Sequence, residues 1–261
     1  MTHGTALITG ASSGIGTEFA RLAAADGYDL VLVARGQVQL ERLAEELRER
    51  HRITVRVIAI DLSGPNAASN LYAELTPAGI SVDVLVNNAG FAQYGLFWRN
   101  DMQTMLDMLQ VNMVTLTHLC RLFMPAMIER GRGAVLNVAS MAAFQPGPLM
   151  AAYYASKAYV LWLSEALANE CKDTGVSVTA LCPGPTRTRF EQRAGLDLSR
   201  LFKWVPVSDA RSVASEGYRA MKRGKTLVIP GFMNRLAALG VQLAPRSAVA
   251  AVVRALQERV G

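Results

Sequence analysis

Tyr153 and Lys157 stand four residues apart in AAYYASKAYVLWLSEAL, a stretch that reads as helix. Residues i and i+4 share a helical face, so a phenol and an ammonium can point into one pocket. A tyrosine ordinarily titrates near ~10 and is a poor proton donor at neutral pH. A cation held beside it favours the phenolate and lowers the barrier to proton transfer. Tyr-x-x-x-Lys by itself recurs by chance, so its surroundings must decide. Tyr154 is a rival phenol, but Ala158 stands at its i+4 position and supplies no charge. Ser140 follows the fifth strand, thirteen residues before Tyr153, a place where a serine commonly caps a helix or a turn. Asn112 lies in a long, largely apolar helical stretch, where an amide is unfavourable unless it bonds something specific.

These side chains need a scaffold, and the chain alternates short β-branched runs with longer amphipathic stretches. Strands are expected at 5–9, 28–34, 53–60, 82–87, 133–139, 176–182 and 226–230. Helices are expected from about Ile15 to Ala25, through Leu40, Leu43, Ala44 and Leu47, and near 66–76, 101–130, 150–172 and 208–222. Near-continuous apolar strands joined by helices imply a parallel sheet covered on both faces. With right-handed crossovers the expectation is α/β: a single doubly wound Rossmann domain over 1–261 with about seven parallel strands. Its cofactor half spans about 1–140 and its substrate half about 140–261. Residues 186–206, with Arg187, Arg189, Arg193 and Arg200, break the rhythm and are expected to form a mobile lid. The tail after Pro230 reads as two short helices broken at Gly240 and Pro245. Packing on the domain is its stronger reading and association with a membrane surface the weaker one.

Directly after the first strand comes Thr9-Gly10-Ala11-Ser12-Ser13-Gly14-Ile15-Gly16. Glycines there let backbone approach a pyrophosphate, and the helix start supplies N–H donors. The end of the second strand selects between NAD and NADP. A carboxylate there would repel a 2′-phosphate; this chain has Ala34-Arg35-Gly36, with a guanidinium suited to phosphate and Ser13 in support. NADP is therefore the expected cofactor. Asp61-Leu62 and Asn87-Asn88-Ala89-Gly90 follow the third and fourth strands, where strand ends line the crevice. Asp61 suits an adenine amine, and equally the cap of the next helix.

Composition narrows the classes. The 261 residues are 51% hydrophobic and 18% charged, so a sizeable core is expected and disorder is not. Cys120, Cys171 and Cys182 form no close pair and no metal spacing, as in a reducing compartment. MTHGTALITG lacks the features of a secretion signal, and no apolar run is expected to reach the ~20 residues that span a bilayer, so a cytoplasmic location is expected. The net charge of +6 comes from scattered basic residues without interleaved aromatics, which argues against nucleic acid as partner and for a phosphorylated cofactor.

Taken together, the loop at 9–16, the Asn-Asn-Ala-Gly turn, Ser140, Tyr153, Lys157 and Pro183-Gly184 resemble the short-chain dehydrogenase/reductase family along nearly the whole chain. The resemblance implies Tyr153 as general acid, with Lys157 lowering its pKa and holding the nicotinamide ribose. It implies that Ser140 bonds the substrate oxygen, that Asn112 holds a water in a relay to Lys157, and that Pro183, Gly184, Thr186 and Thr188 hold the nicotinamide end. GYDLVLVAR and LCPGPTRT are similar to a bacterial branch nearer the steroid and fatty-acyl ketone reductases. A homodimer or homotetramer built on 101–130 and 150–172 is also implied. The expected activity is reduction of a hydrophobic ketone or aldehyde by NADPH. The alternatives are an NADP-using epimerase or dehydratase, and a non-catalytic NADP-binding redox sensor. The substrate wall is expected from Phe91, Tyr94, Phe97, Trp98, Met141, Phe144, Leu149, Phe190, Phe202 and Trp204.

Overall fold

A computed structural model describes residues 4–188, 190 and 207–258. The β-branched runs form β1 (Thr5–Thr9), β2 (Asp29–Ala34), β3 (Val55–Ala59), β4 (Val82–Asn87), β5 (Gly133–Val138) and β6 (Val176–Leu181). A short ribbon, β7 (Thr186–Arg187) with β8 (Ser208–Asp209), precedes the last strand, β9 (Leu227–Val228). The main sheet is parallel, in the order β3-β2-β1-β4-β5-β6-β9. Alternation along β1 shows why both faces are covered. Ala6 and Ile8 pack into one apolar layer and Leu7 into the other.

The first layer holds α1 (Gly14–Ala25) and α2 (Gln37–His51); the second holds α3 (Ala67–Leu75). Next come α4 (Met102–Leu109), a π-helical turn over Gln110–Thr115, and α5 (Leu116–Glu129). They are followed by α6 (Ala151–Glu170), α7 (Ala210–Lys222), α8 (Phe232–Leu243) and α9 (Arg246–Gln257). Strand order reverses between β1 and β4, so their carboxyl ends open a crevice where this fold class takes its ligands.

Three expectations change. The helical stretch Met102–Glu129 is 28 residues long and apolar enough to cross a bilayer by length and composition, contrary to the sequence reading. Half of its most apolar 18 residues are buried, and the stretch packs against α3, α6 and the sheet. Gly240 does not break the tail: α8 runs through it and ends before Pro245, because a glycine inside a helix costs only about 1 kcal/mol. Asp61 caps no helix, since α3 starts at Ala67 and the Asp61 carboxylate instead accepts from the N–H and hydroxyl of Ser63.

Within the tail, Val249 and Val253 of α9 are buried with Met105 and Met150. In contrast, α8 leaves Phe232, Met233, Leu239 and Leu243 exposed. Of the expected lid, Arg189, Arg193, Arg200, Phe202 and Trp204 lie outside the described residues. Cys120, Cys171 and Cys182 are free thiols.

Candidate active site

The end of β1 and the start of α1 are locked to the turn after β4. Asn88 Nδ2 donates to the carbonyls of Thr9 and Gly10 at 2.9 and 3.2 Å. The Thr9 hydroxyl accepts from the N–H groups of Asn88 and Ala89, both at 3.0 Å. Gly10 and Gly14 have φ of +67° and +60°, conformations that side chains other than glycine rarely adopt. A Cβ on Gly14 would come within 2.9 Å of Thr188 Cγ2, so the loop faces the segment after β6 across a narrow gap.

A cavity of about 680 Å³ runs from this loop to α6. It is lined by Gly10, Ser12, Ser13, Gly14, Ile15, Arg35, Asp61 and Leu62 at one end. Asn88, Ala89, Gly90, Pro183, Gly184, Thr186 and Thr188 line its middle, and Ser140, Tyr153 and Lys157 the other end. Two expected residues do not line it. Gly16 sits behind the loop, where a side chain would run into the Gly10 carbonyl and Asn88. Asn112 lies beneath the wall.

Asn112 shows how the π-helical turn acts. Its Nδ2 donates to the Phe91 carbonyl (3.0 Å) and to Ser156 Oγ (3.1 Å), while Oδ1 accepts from the Phe91 N–H (3.2 Å). Ser156 in turn donates to the Tyr153 carbonyl at 2.7 Å. The amide thus ties the loop after β4 to the first turns of α6. A Cβ on Gly90 would stand 3.0 Å from Asn112 Oδ1 and 3.4 Å from Lys157 Nζ, so this glycine keeps the space between them clear.

At the inner end Lys157 is buried, and its Nζ donates to the carbonyl of Val138, the last residue of β5, at 2.7 Å. The ammonium lies 5.9 Å from the centre of the Tyr153 ring. Burial lowers its pKa to about 8. Burial also pushes the Tyr153 phenol above its ordinary value, and the Ser140 hydroxyl draws it back only in part. In this arrangement burial dominates at both groups, raising the phenol and lowering the ammonium. The plain role of Ser140 is real as well, since its Oγ accepts from the Ala142 N–H at 3.1 Å and caps a 3₁₀ turn over Met141–Phe144.

At the outer end Arg35 lies 3.7 Å from Asp61. Burial raises the Asp61 pKa, but the Ser63 hydrogen bonds and Arg35 outweigh it and hold the carboxyl low. Of the expected substrate wall, Phe91, Met141 and Phe190 line the cavity. Phe97 and Trp98 are exposed, and Tyr94, Phe144 and Leu149 stand off it. The ring of Phe190 lies 5.6 Å from that of Tyr153. Tyr94 instead donates its hydroxyl to the Gln257 carbonyl at 2.9 Å.

A family description, short chain dehydrogenase, matches residues 4–198. The chain belongs to the short-chain dehydrogenase family. A very-long-chain 3-oxoacyl-CoA reductase of Bos taurus is 34% identical over 189 residues, 71% of this chain and 60% of that protein. The chain thus spans about 60% of the length of this curated relative. Among solved structures, a short-chain dehydrogenase from Sphingobium yanoikuyae in complex with NADPH shares 34% identity. It matches with a TM-score of 0.83 over 92% of this chain and 93% of that one. The bulky-bulky ketone specific alcohol dehydrogenase from Comamonas testosteroni shares 31%, with a TM-score of 0.78 over 95% and 97%.

Sequence reasoning did not single out Thr9, Ser63, Ser156 or Gln257. Ser156 carries a signal, a polar residue at i+3 of Tyr153 on the same helical face. Gln257 carries a weaker one, as the one amide in the RSAVAAVVRALQ stretch.

Proposed function

We propose that this short-chain dehydrogenase uses NADPH to reduce the carbonyl of a bulky, largely apolar ketone to an alcohol. The observation that carries the reading is that Ser140, Tyr153 and Lys157 meet at one end of a cavity whose other end is the glycine loop. The residues present fit the cofactor: a side chain at Gly14 would fill the cradle against Thr188, and the start of α1 supplies N–H donors. Arg35 stands where a carboxylate would reject a 2′-phosphate, which favours NADPH. Two structural relatives, one in complex with NADPH and one specific for bulky ketones, support the same choice.

When bound, the nicotinamide supplies hydride to the carbonyl carbon. The chain's own residues place and polarise the oxygen. Ser140 Oγ donates to it, and Tyr153, kept protonated by its buried site, transfers the phenolic proton as negative charge develops there. Lys157 stabilises the charge that then appears on the Tyr153 ring, an interaction that strengthens along the reaction. Gly90 leaves the gap in which a water bridges Asn112 Oδ1 to Lys157 Nζ. A second copy of the chain covers Met102, Leu106, Val114 and Trp162, exposed apolar residues of the α4–α6 face. Sedimentation of the purified protein as a monomer would refute that pairing.

The test of the reductase reading is NADPH consumption over a panel of bulky ketones, with Tyr153→Phe as control. Turnover should fall by about 10²–10⁴-fold in the variant, with NADPH binding retained. Full turnover in Tyr153→Phe, or no turnover by the unaltered protein with any ketone, would sink it.

A further inference from the structure

We propose that Gln257 determines substrate specificity by reading a hydrogen-bond donor, so that preferred substrates carry one hydroxyl or amide N–H set apart from the reacting carbonyl. This rests on the reductase reading above. Gln257 ends α9 and is only 2% exposed, yet it lines the cavity at the carbonyl end among Ala142, Met150 and Phe190. Its Nε2 donates to the Tyr154 hydroxyl at 2.6 Å, and its main-chain carbonyl accepts from the Tyr94 hydroxyl. Among the described residues its Oε1 is buried without a hydrogen-bond partner.

A buried amide oxygen with no donor is costly, and a leucine or methionine would fill the same space without that penalty. The side chain is also not free to turn away. The Tyr154 ring that holds it is seated against Gly147, where a Cβ would overlap the ring. The orphaned atom therefore acts as a fixed acceptor awaiting a partner. A ketone oxygen cannot serve, because it is itself an acceptor and Ser140 and Tyr153 already address it. The missing partner is a second polar group of the substrate, one that donates. This turns Tyr154, which lacks the cation of its neighbour, into the post that orients the reader.

The experiment compares kcat/KM for matched pairs of bicyclic and steroidal ketones that differ in one hydroxyl distant from the carbonyl. The unaltered protein should favour the hydroxylated member of at least one pair by about tenfold or more. Gln257→Leu should erase that preference, and Gln257→Glu, which retains an acceptor, should keep it. Gln257→Met guards against misfolding of the leucine variant, with thermal unfolding as the check. A preference that survives in Gln257→Leu and Gln257→Met, or no preference in any pair, overturns the inference while ketone turnover leaves the reductase reading standing. No turnover of any ketone by the unaltered protein overturns both.

Discussion

The two ends of the cavity hold charges in opposite surroundings. Arg35 and Asp61, at the dinucleotide end, keep 65% and 52% of their side-chain surface in solvent. Lys157 and Tyr153, at the carbonyl end, are buried. Water screens the outer pair, so its effect on binding is small and adjustable by salt. At the inner end desolvation moves both groups away from their ordinary pKa values, and each interaction counts for more. The proposed function divides two tasks along this line: the exposed end chooses among cofactors, and the buried end does the chemistry.

The largest effect should come from Tyr153→Phe, which breaks the inner end alone. The loss of about 10²–10⁴-fold in turnover should leave the outer end intact, measured as unchanged fluorescence titration with NADPH. Equal losses in binding and turnover would show that the two ends are not separable.

The intermediate effect is on stability. Holding the Lys157 ammonium at a pKa of about 8 instead of its ordinary 10.5 corresponds to about 3 kcal/mol against the folded state. Below pH 8 the group is protonated whether the chain is folded or not, and that cost is present in full. Between about 8 and 10.5 the unfolded chain binds the extra proton, so the stability of the unaltered protein rises with pH. Lys157→Met should therefore unfold at higher denaturant than the unaltered protein at pH 7, less the lost bond to the Val138 carbonyl, and its advantage should vanish by about pH 10.5. The same variant should have almost no turnover. A variant less stable at pH 7 would mean that the ammonium is well solvated or paired.

What the sequence made legible follows the same division. The glycine loop, Arg35, and the Tyr153–Lys157 pair are local patterns whose spacing has one structural meaning in a βα unit, so their placement could be read from a few residues. The strands were readable for the same reason, because their apolar runs are continuous. Burial is not local. That burial would raise the Tyr153 phenol depends on α6 being covered by Phe190 and by the tail, which no spacing reveals. Gln257 meets Tyr94 across 163 residues of chain. The Gly240 break failed because a glycine with open space around it is tolerated inside a helix whose other residues favour continuation.

The smallest effect tests the outer end. Arg35 follows β2 directly, and its guanidinium already has an acid beside it, the exposed Asp61 at 3.7 Å. A 2′-phosphate must therefore compete with that carboxylate and with water for the same donors, which limits what Arg35 contributes. Arg35→Ser should raise the KM for NADPH by about fivefold at low salt, and by less at high ionic strength, because the interaction is screened. The KM for NADH, which carries a free 2′-hydroxyl, should stay nearly constant, and kcat with either cofactor should not change. An equal rise for both cofactors would move Arg35 from phosphate recognition to holding the loop after β2, and a salt-independent effect would mean that the phosphate buries this end when it binds.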